Sequence, residues 1–314
     1  MNRHEFLRQT LLGTGALALA QTPLEAWAKL DDDKTHERQL TVLHTNDVHS
    51  RLDPFPNDGS NMGGKGGAAA RYWQIEQIRK EGNPVLLLDA GDIFQGTPYF
   101  NFYKGKPEMQ VMSLMGYDAA TLGNHDFDLG MENLLNQMQY ADFPFVNCNY
   151  ELYNTPLENQ VVPYHILHKG GIKIGITGVG INLDGLVHND MRKGLVYNDP
   201  IQRANEMAYF LKKKKRCDTV ICLSHLGFEY SSNKVSDKQL AAESTHIDWI
   251  LGGHTHTFLD QPITIKNRKK QEVVINQVGW GGVYLGRIDI FFNHKKESVY
   301  VSKNEVVRST ETSI

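Results

Sequence analysis

Leu40-Thr41-Val42-Leu43-His44-Thr45-Asn46-Asp47-Val48-His49 is an apolar run that empties into a polar loop, and the design returns four more times. Val85-Leu86-Leu87-Leu88 runs into Asp89-Ala90-Gly91-Asp92, and residues 119–122 run into Gly123-Asn124-His125-Asp126. Residues 220–223 lead to Ser224-His225, and residues 249–251 to Gly252-Gly253-His254-Thr255-His256. Short apolar runs joined by helix-like stretches read as an α/β fold. In open α/β sheets ligands bind beyond the carboxyl ends of the strands. Five separate stretches therefore deliver Asp, Asn and His side chains to one edge.

The intervening sequence supports that reading. A glycine-rich loop, residues 59–67, precedes a helix expected over 68–80 and stopped by Gly82. Residues 109–115, 131–139 and 201–211 also read as helices, and Lys212-Lys213-Lys214-Lys215-Arg216 as the solvated C-terminal end of the last. Residues 143–146 and 172–179 are further strands, and 273–275 with 286–292 look like antiparallel strands of the tail. No repeat or low-complexity segment interrupts the pattern.

With 314 residues, 40% hydrophobic and 22% charged, the chain can bury a sizeable core and is not a disordered one. A net charge of −3 and the lack of a basic stripe argue against a nucleic-acid polymer as partner. Arg3 and Arg8 ahead of the apolar residues 11–20, with Ala26-Trp27-Ala28 behind, have the layout of a secretory signal over residues 1–28. His4 stands where a twin-arginine signal has its second Arg. The apolar stretch is too short for a permanent membrane span, so export to a periplasm or the exterior is expected. Residues 29–39 read as a linker to one domain over 40–314. Cys148, Cys217 and Cys222 are expected to stay unpaired, the last two on opposite faces of a single strand.

The loop residues suit a metal centre. Asp47 and His49, two apart, would project to one side of an extended chain, and His254 and His256 repeat the spacing. Asp92 has two oxygens with which to bridge two ions, and Asn124 adds a neutral carbonyl oxygen. Nitrogen and oxygen donors without thiolate suit Zn²⁺, Mn²⁺, Co²⁺ or iron. Two such ions would polarise a phosphoryl oxygen and hold a hydroxide for in-line attack. Alone, a His-x-His or Asp-x-His is ordinarily a surface or core pair, and Gly-Asn-His-Asp a turn. All five loops at the ends of apolar runs point to His225 and the others acting together. His36, His44, His165, His168, His188, His246 and His294 lack that context and receive no role.

Residues 43–50, Gly91-Asp92-Ile93-Phe94-Gln95-Gly96-Thr97, Gly116-Tyr117-Asp118-Ala119, residues 122–128, Ser224-His225-Leu226-Gly227 and Gly252-Gly253-His254-Thr255-His256 together resemble the 5′-nucleotidases of the calcineurin-like metallophosphatase superfamily. The resemblance covers residues 40–292. It implies a four-layer α/β/β/α sandwich and a metal-dependent phosphomonoester hydrolase acting on nucleotides. It places Asp47, His49, Asp92 and His256 on one ion, and Asp92, Asn124, His225 and His254 on the other. His125 would stabilise the transition state and protonate the leaving oxygen, with Asp128 orienting it; Asp126 stands where relatives commonly carry Glu. A 2′,3′-cyclic-nucleotide or nucleotide-sugar phosphodiesterase is the neighbouring alternative, and a non-catalytic metal-binding module the alternative of another class. Family members continue into a second domain that grips the nucleoside. That domain is expected to be missing here and to come from a separately encoded partner. Residues that bind substrate are not assigned. Tyr99, Phe100, Phe102 and Tyr103 are expected in core or loop packing, and Trp280 in a hairpin of the tail.

Overall fold

Burial along single strands sets the layers. In the computed structural model, which describes residues 36–294 and 297–308, all five residues of Val85–Asp89 and all seven of Thr219–His225 are buried. A strand buried on both faces needs cover on both faces. The expected signal segment lies outside the described residues.

In chain order the strands are β1 (His36–Thr45), β2 (Val85–Asp89), β3 (Ala119–Ala120), β4 (Phe145–Val146), β5 (Tyr150–Glu151), β6 (Val161–Val162), β7 (Tyr164–Lys169), β8 (Ile172–Gly180), β9 (Val196–Tyr197), β10 (Thr219–His225), β11 (Trp249–Gly252), β12 (Ile263–Lys266), β13 (Glu272–Asn276), β14 (Tyr284–Asn293) and β15 (Ser298–Val306). The helices are α1 (Ala68–Arg79), α2 (Pro98–Tyr103), α3 (Lys106–Met115), α4 (Gly130–Met138), α5 (Pro200–Tyr209) and α6 (Asp237–Glu243). One mixed sheet runs β15-β14-β1-β2-β3-β4-β6 and the other β12-β13-β11-β10-β8-β7.

Three apolar clusters separate four layers. Leu40, Val42, Leu86 and Leu88 of the first sheet meet Ile174, Ile176, Ile221 and Leu223 of the second. Their strand neighbours Leu43 and Leu87 turn outward onto Ile75 of α1 and Met109 and Met112 of α3. Val220 and Cys222 likewise turn outward onto Ile201, Ala204 and Ala208 of α5 and Leu240 of α6. Period-two alternation in each strand thus feeds a shared inner core and an outer helical one. The four-layer α/β/β/α arrangement is the one the resemblance implied.

Several boundaries differ from the sequence reading. β1 begins at His36, four residues before the run at Leu40, because His36, Arg38 and Gln39 pair with β14 across a shift of register. The run expected over 119–122 pairs only at Ala119–Ala120. Both tail strands pair antiparallel, as expected, but in different sheets: β13 with β12 in the second sheet, where its other neighbour β11 is parallel, and β14 with β1 and β15 in the first. β7, β12 and β15 escaped notice because their faces are half-exposed and carry His, Lys, Ser and Asn between apolar residues. Cys217 precedes β10 rather than lying on it, so it shares the outer core with Cys222 instead of facing away; all three cysteines are free. Of the basic run, Lys212 is tied to Asp248 at 2.8 Å and so is not merely solvated.

Parallel pairing of β1 with β2 and β2 with β3, and of β10 with β11, points their carboxyl ends the same way within each sheet. The loops that follow those strands meet between the sheets.

Candidate metal centre

The loop after β1 continues the sheet as a zipper of backbone bonds. Asp47 N–H donates to Gly91 O (2.9 Å), His49 N–H to Asp92 O (3.0 Å) and Ser50 N–H to Ile93 O (2.8 Å). Within it Asp47 (φ 50°), His49 (φ 53°) and Asp92 (φ 55°) adopt left-handed backbone, as do His254 (φ 76°) and His256 (φ 52°). The extended geometry expected for the Asp-x-His and His-x-His pairs is therefore absent. Turns, not strand alternation, aim these side chains. Asp and His are among the residues that tolerate this region best, though each such position still costs about 1 kcal/mol or more.

The turns bring the side chains into two groups, Asp47 with His49 and His256, and Asp92 with His225 and His254, each with its donor atoms within 4.8 Å of one another. His49 Nε2 and His256 Nε2 lie 3.0 Å apart, and Asp47 Oδ1 is 3.4 Å from His256 Nε2. Asp92 Oδ2 is 3.1 Å from His225 Nε2 and 3.9 Å from His49 Nε2, so one oxygen faces both groups. The ring orientations are set from behind. His225 Nδ1 lies 2.7 Å from Ala90 O and His49 Nδ1 3.2 Å from Phe94 O. A carbonyl can only accept, so both rings carry hydrogen on Nδ1 and turn Nε2 inward, the nitrogen that a cation would take in place of a proton. Asn124 is buried and its Oδ1 has no hydrogen-bond partner among the described residues. Converging imine nitrogens, two carboxylates and an orphaned carbonyl oxygen form a donor set that a pair of divalent cations fits.

The electrostatics agree. Burial raises Asp92, but the rings of His225, His49 and His125 overcome that and hold its carboxyl below the usual carboxylate range. Burial opposes a charge on His225, yet Asp92 and Asp47 lift it to about 10. Burial, with His225 beside it, drops His254 to about 4. Asp92 and His225 thus favour their charged forms together, whereas burial lowers His49 and His254.

Beside this centre His125 Nδ1 lies 2.8 Å from Asp128 Oδ2, and that bond, against burial, raises the His125 pKa. A short 3₁₀ turn over His125–Phe127 places both residues, and His125 N–H donates to Asp92 Oδ1 at 2.7 Å. The pairing expected of them from the resemblance is thus present as geometry.

Asp126 does more than the sequence reading allowed. Its carboxylate accepts the N–H groups of Asp92 (3.1 Å), Ile93 (2.9 Å), Phe94 (3.1 Å) and Gly123 (2.8 Å). Burial and the Asp92 charge push its pKa up to about 7, and those donors, which act on the ionised form, oppose the push. It clamps the Asp92 loop to the Asn124 loop. A Cβ on Gly123 would collide with the Asp92 carboxylate, which accounts for glycine there.

Other contributors carried weaker signals. Asn46 Nδ2 donates to Gly279 O (2.6 Å) and Asn46 Oδ1 accepts from Val278 N–H (3.0 Å), tying the first loop to the tail. Trp280 is not in a hairpin of the tail; its ring stacks on His256 with centroids 5.7 Å apart. Phe100 is core, stacked on Phe94, whereas Phe102 and Tyr103 are 78% and 57% exposed and Tyr99 bonds Asp53 at the surface. Of the histidines given no role, His44 is buried against Asn276 and His188 caps a 3₁₀ turn.

Comparison with known proteins agrees with this geometry. The family model for calcineurin-like phosphoesterases matches residues 40–258. The 5′-nucleotidase of Rattus norvegicus is 34% identical over 291 residues, 86% of this chain and 49% of that protein. The structure of a 5′-nucleotidase precursor from Thermus thermophilus superposes with a TM-score of 0.77 at 30% identity, over 86% of this chain and 55% of that one. The NAD nucleotidase of Haemophilus influenzae gives 0.75 at 27% identity, over 87% and 57%. The chain spans about half the length of the curated relatives it matches. From the fold, the paired His/Asp groups and these matches, the chain belongs to the calcineurin-like phosphoesterases, and within them it is similar to proteins described as 5′-nucleotidases.

Proposed function

We propose that this chain hydrolyses nucleotide phosphomonoesters, with Asp47, His49, Asp92 and His256 holding one divalent cation and Asp92, Asn124, His225 and His254 the other. The carrying observation is Asp92 Oδ2, which faces both His/Asp groups while Asp92 Oδ1 anchors the His125 backbone. Nitrogen-rich donors suit Zn²⁺, Mn²⁺ or Co²⁺. Bound there, such ions supply Lewis acidity toward a phosphoryl oxygen and activation of the nucleophile for in-line attack. His125, with Nδ1 engaged by Asp128, keeps Nε2 for the phosphoryl group and donates the proton that the leaving oxygen needs.

Nucleotides are the proposed substrate class because relatives named as 5′-nucleotidases share the whole matched region. The second reading, cleavage of a phosphoric anhydride or diester linkage, draws on the likeness to a protein described as an NAD nucleotidase. Export directed by residues 1–28 belongs to the same proposal, and no helix among the described residues is long and apolar enough to cross a membrane.

A panel of 5′-nucleoside monophosphates, 2′,3′-cyclic nucleotides, nucleotide sugars and NAD, assayed on Mn²⁺- or Zn²⁺-loaded protein, tests this. Hydrolysis of AMP at least about tenfold faster in kcat/KM than of the diesters and anhydrides is expected, and it should vanish on chelation. Preference for a diester would install the second reading. No metal-dependent hydrolysis of any substrate would leave a binding module.

A further inference from the structure

The four histidines of the two groups are not held alike. His49 and His225 are anchored through Nδ1 by backbone carbonyls. His254 lies edge-on to the buried His225 ring. His256, whose side chain is 40% exposed, has no carbonyl anchor among its described hydrogen bonds. Its ring instead lies nearly parallel to Trp280, at an interplanar angle of 17°.

Trp280 is itself fixed by both metal loops. Gly279 N–H donates to Thr257 O (2.9 Å), next to His256, and Gly281 N–H donates to Asp47 O (2.7 Å). Gly279, Gly281 and Gly282 all have positive φ, so the chain folds tightly around the indole. Phe55 also meets the indole edge-on at 5.3 Å, with the Arg51 guanidinium 3.9 Å over the Phe55 ring. The indole is thus held by its flanking backbone bonds and packs edge-on to Phe55 and nearly parallel to the His256 imidazole.

We propose that Trp280 is a positioning residue for His256: its stacked indole holds that imidazole toward Asp47 and His49, and its fluorescence reports occupation of that cation site. A carbonyl fixes a ring through Nδ1, whereas a flat aromatic surface fixes its plane, and either restricts the rotation that metal binding would otherwise have to freeze. The inference rests on the dinuclear reading above.

The test is a Co²⁺ titration of the metal-free full chain, followed by competition with a chromophoric chelator and by tryptophan emission. Wild type should bind two equivalents. Trp280→Ala should weaken one of them about tenfold and leave the other unchanged, and Trp280→Phe should restore it to within about threefold. Wild-type emission should quench as that one site fills. The quenched component should be missing from Trp280→Phe, although three of the four tryptophans remain there. Wild-type affinity for both equivalents in Trp280→Ala would overturn the proposal. Should that variant not fold, equal quenching of wild type and Trp280→Phe would overturn it instead. A wild type that binds no Co²⁺ defeats the dinuclear reading as well, whereas two equivalents indifferent to Trp280 defeat this inference alone.

Discussion

Asp92→Asn should lower kcat/KM by at least about 10³-fold, some 4 kcal/mol of transition-state stabilisation, while the protein still folds. Asn is the fair substitution because Asp92 stands at φ 55°, a conformation Asn adopts readily and Ala does not. The amide oxygen can still accept the His125 N–H now bound by Oδ1. What disappears is the negative charge that faces both His/Asp groups and raises His225. The bound cations should fall below two per chain, and kcat with them. Metal content by elemental mass spectrometry alongside steady-state kinetics separates the effects. A variant retaining two metals and near-wild-type turnover would remove Asp92 from its bridging place.

His125→Ala should lower kcat for AMP by about 10²- to 10⁴-fold with both metals retained. The ring is 37% exposed on its side chain and lies 5.3 Å, centroid to centroid, from His49, so it borders the centre without belonging to either donor group. Proton donation matters most when the leaving oxygen is basic. The same variant should therefore lose far less, within about tenfold, on an activated aryl phosphate whose leaving group needs no proton. Equal losses on AMP and on the aryl ester would mean that His125 acts on the non-bridging phosphoryl oxygens alone. Asp128→Asn, which keeps the shape and weakens the bond to Nδ1, should lie between wild type and His125→Ala.

The convergence of these Asp, Asn and His side chains was legible because each of their loops follows an apolar run, and strands buried between layers advertise themselves. Val85–Asp89 and Thr219–His225 are of that kind, and their ends carry Asp92 and His225. Legibility failed where the signal depends on backbone geometry or on contacts distant in sequence. The left-handed conformations of Asp47, His49 and His256 cannot be read from residue spacing, which suggested an extended chain. Asp126 gathers N–H groups from residues about 30 positions away, and Trp280 meets His256 through a loop whose glycines looked like a hairpin. β3 and β4, two residues each, are held by their neighbours rather than by propensity. β15 is half-exposed and alternates weakly, so period-two patterning missed it.

Anomalous X-ray scattering from crystals grown with Mn²⁺ or Zn²⁺ addresses the dinuclear centre most directly. Two peaks about 3.5–4 Å apart are expected, on either side of the Asp92 carboxylate, one among Asp47, His49 and His256 and the other among Asn124, His225 and His254. A single peak, or two peaks that do not share Asp92, would contradict it.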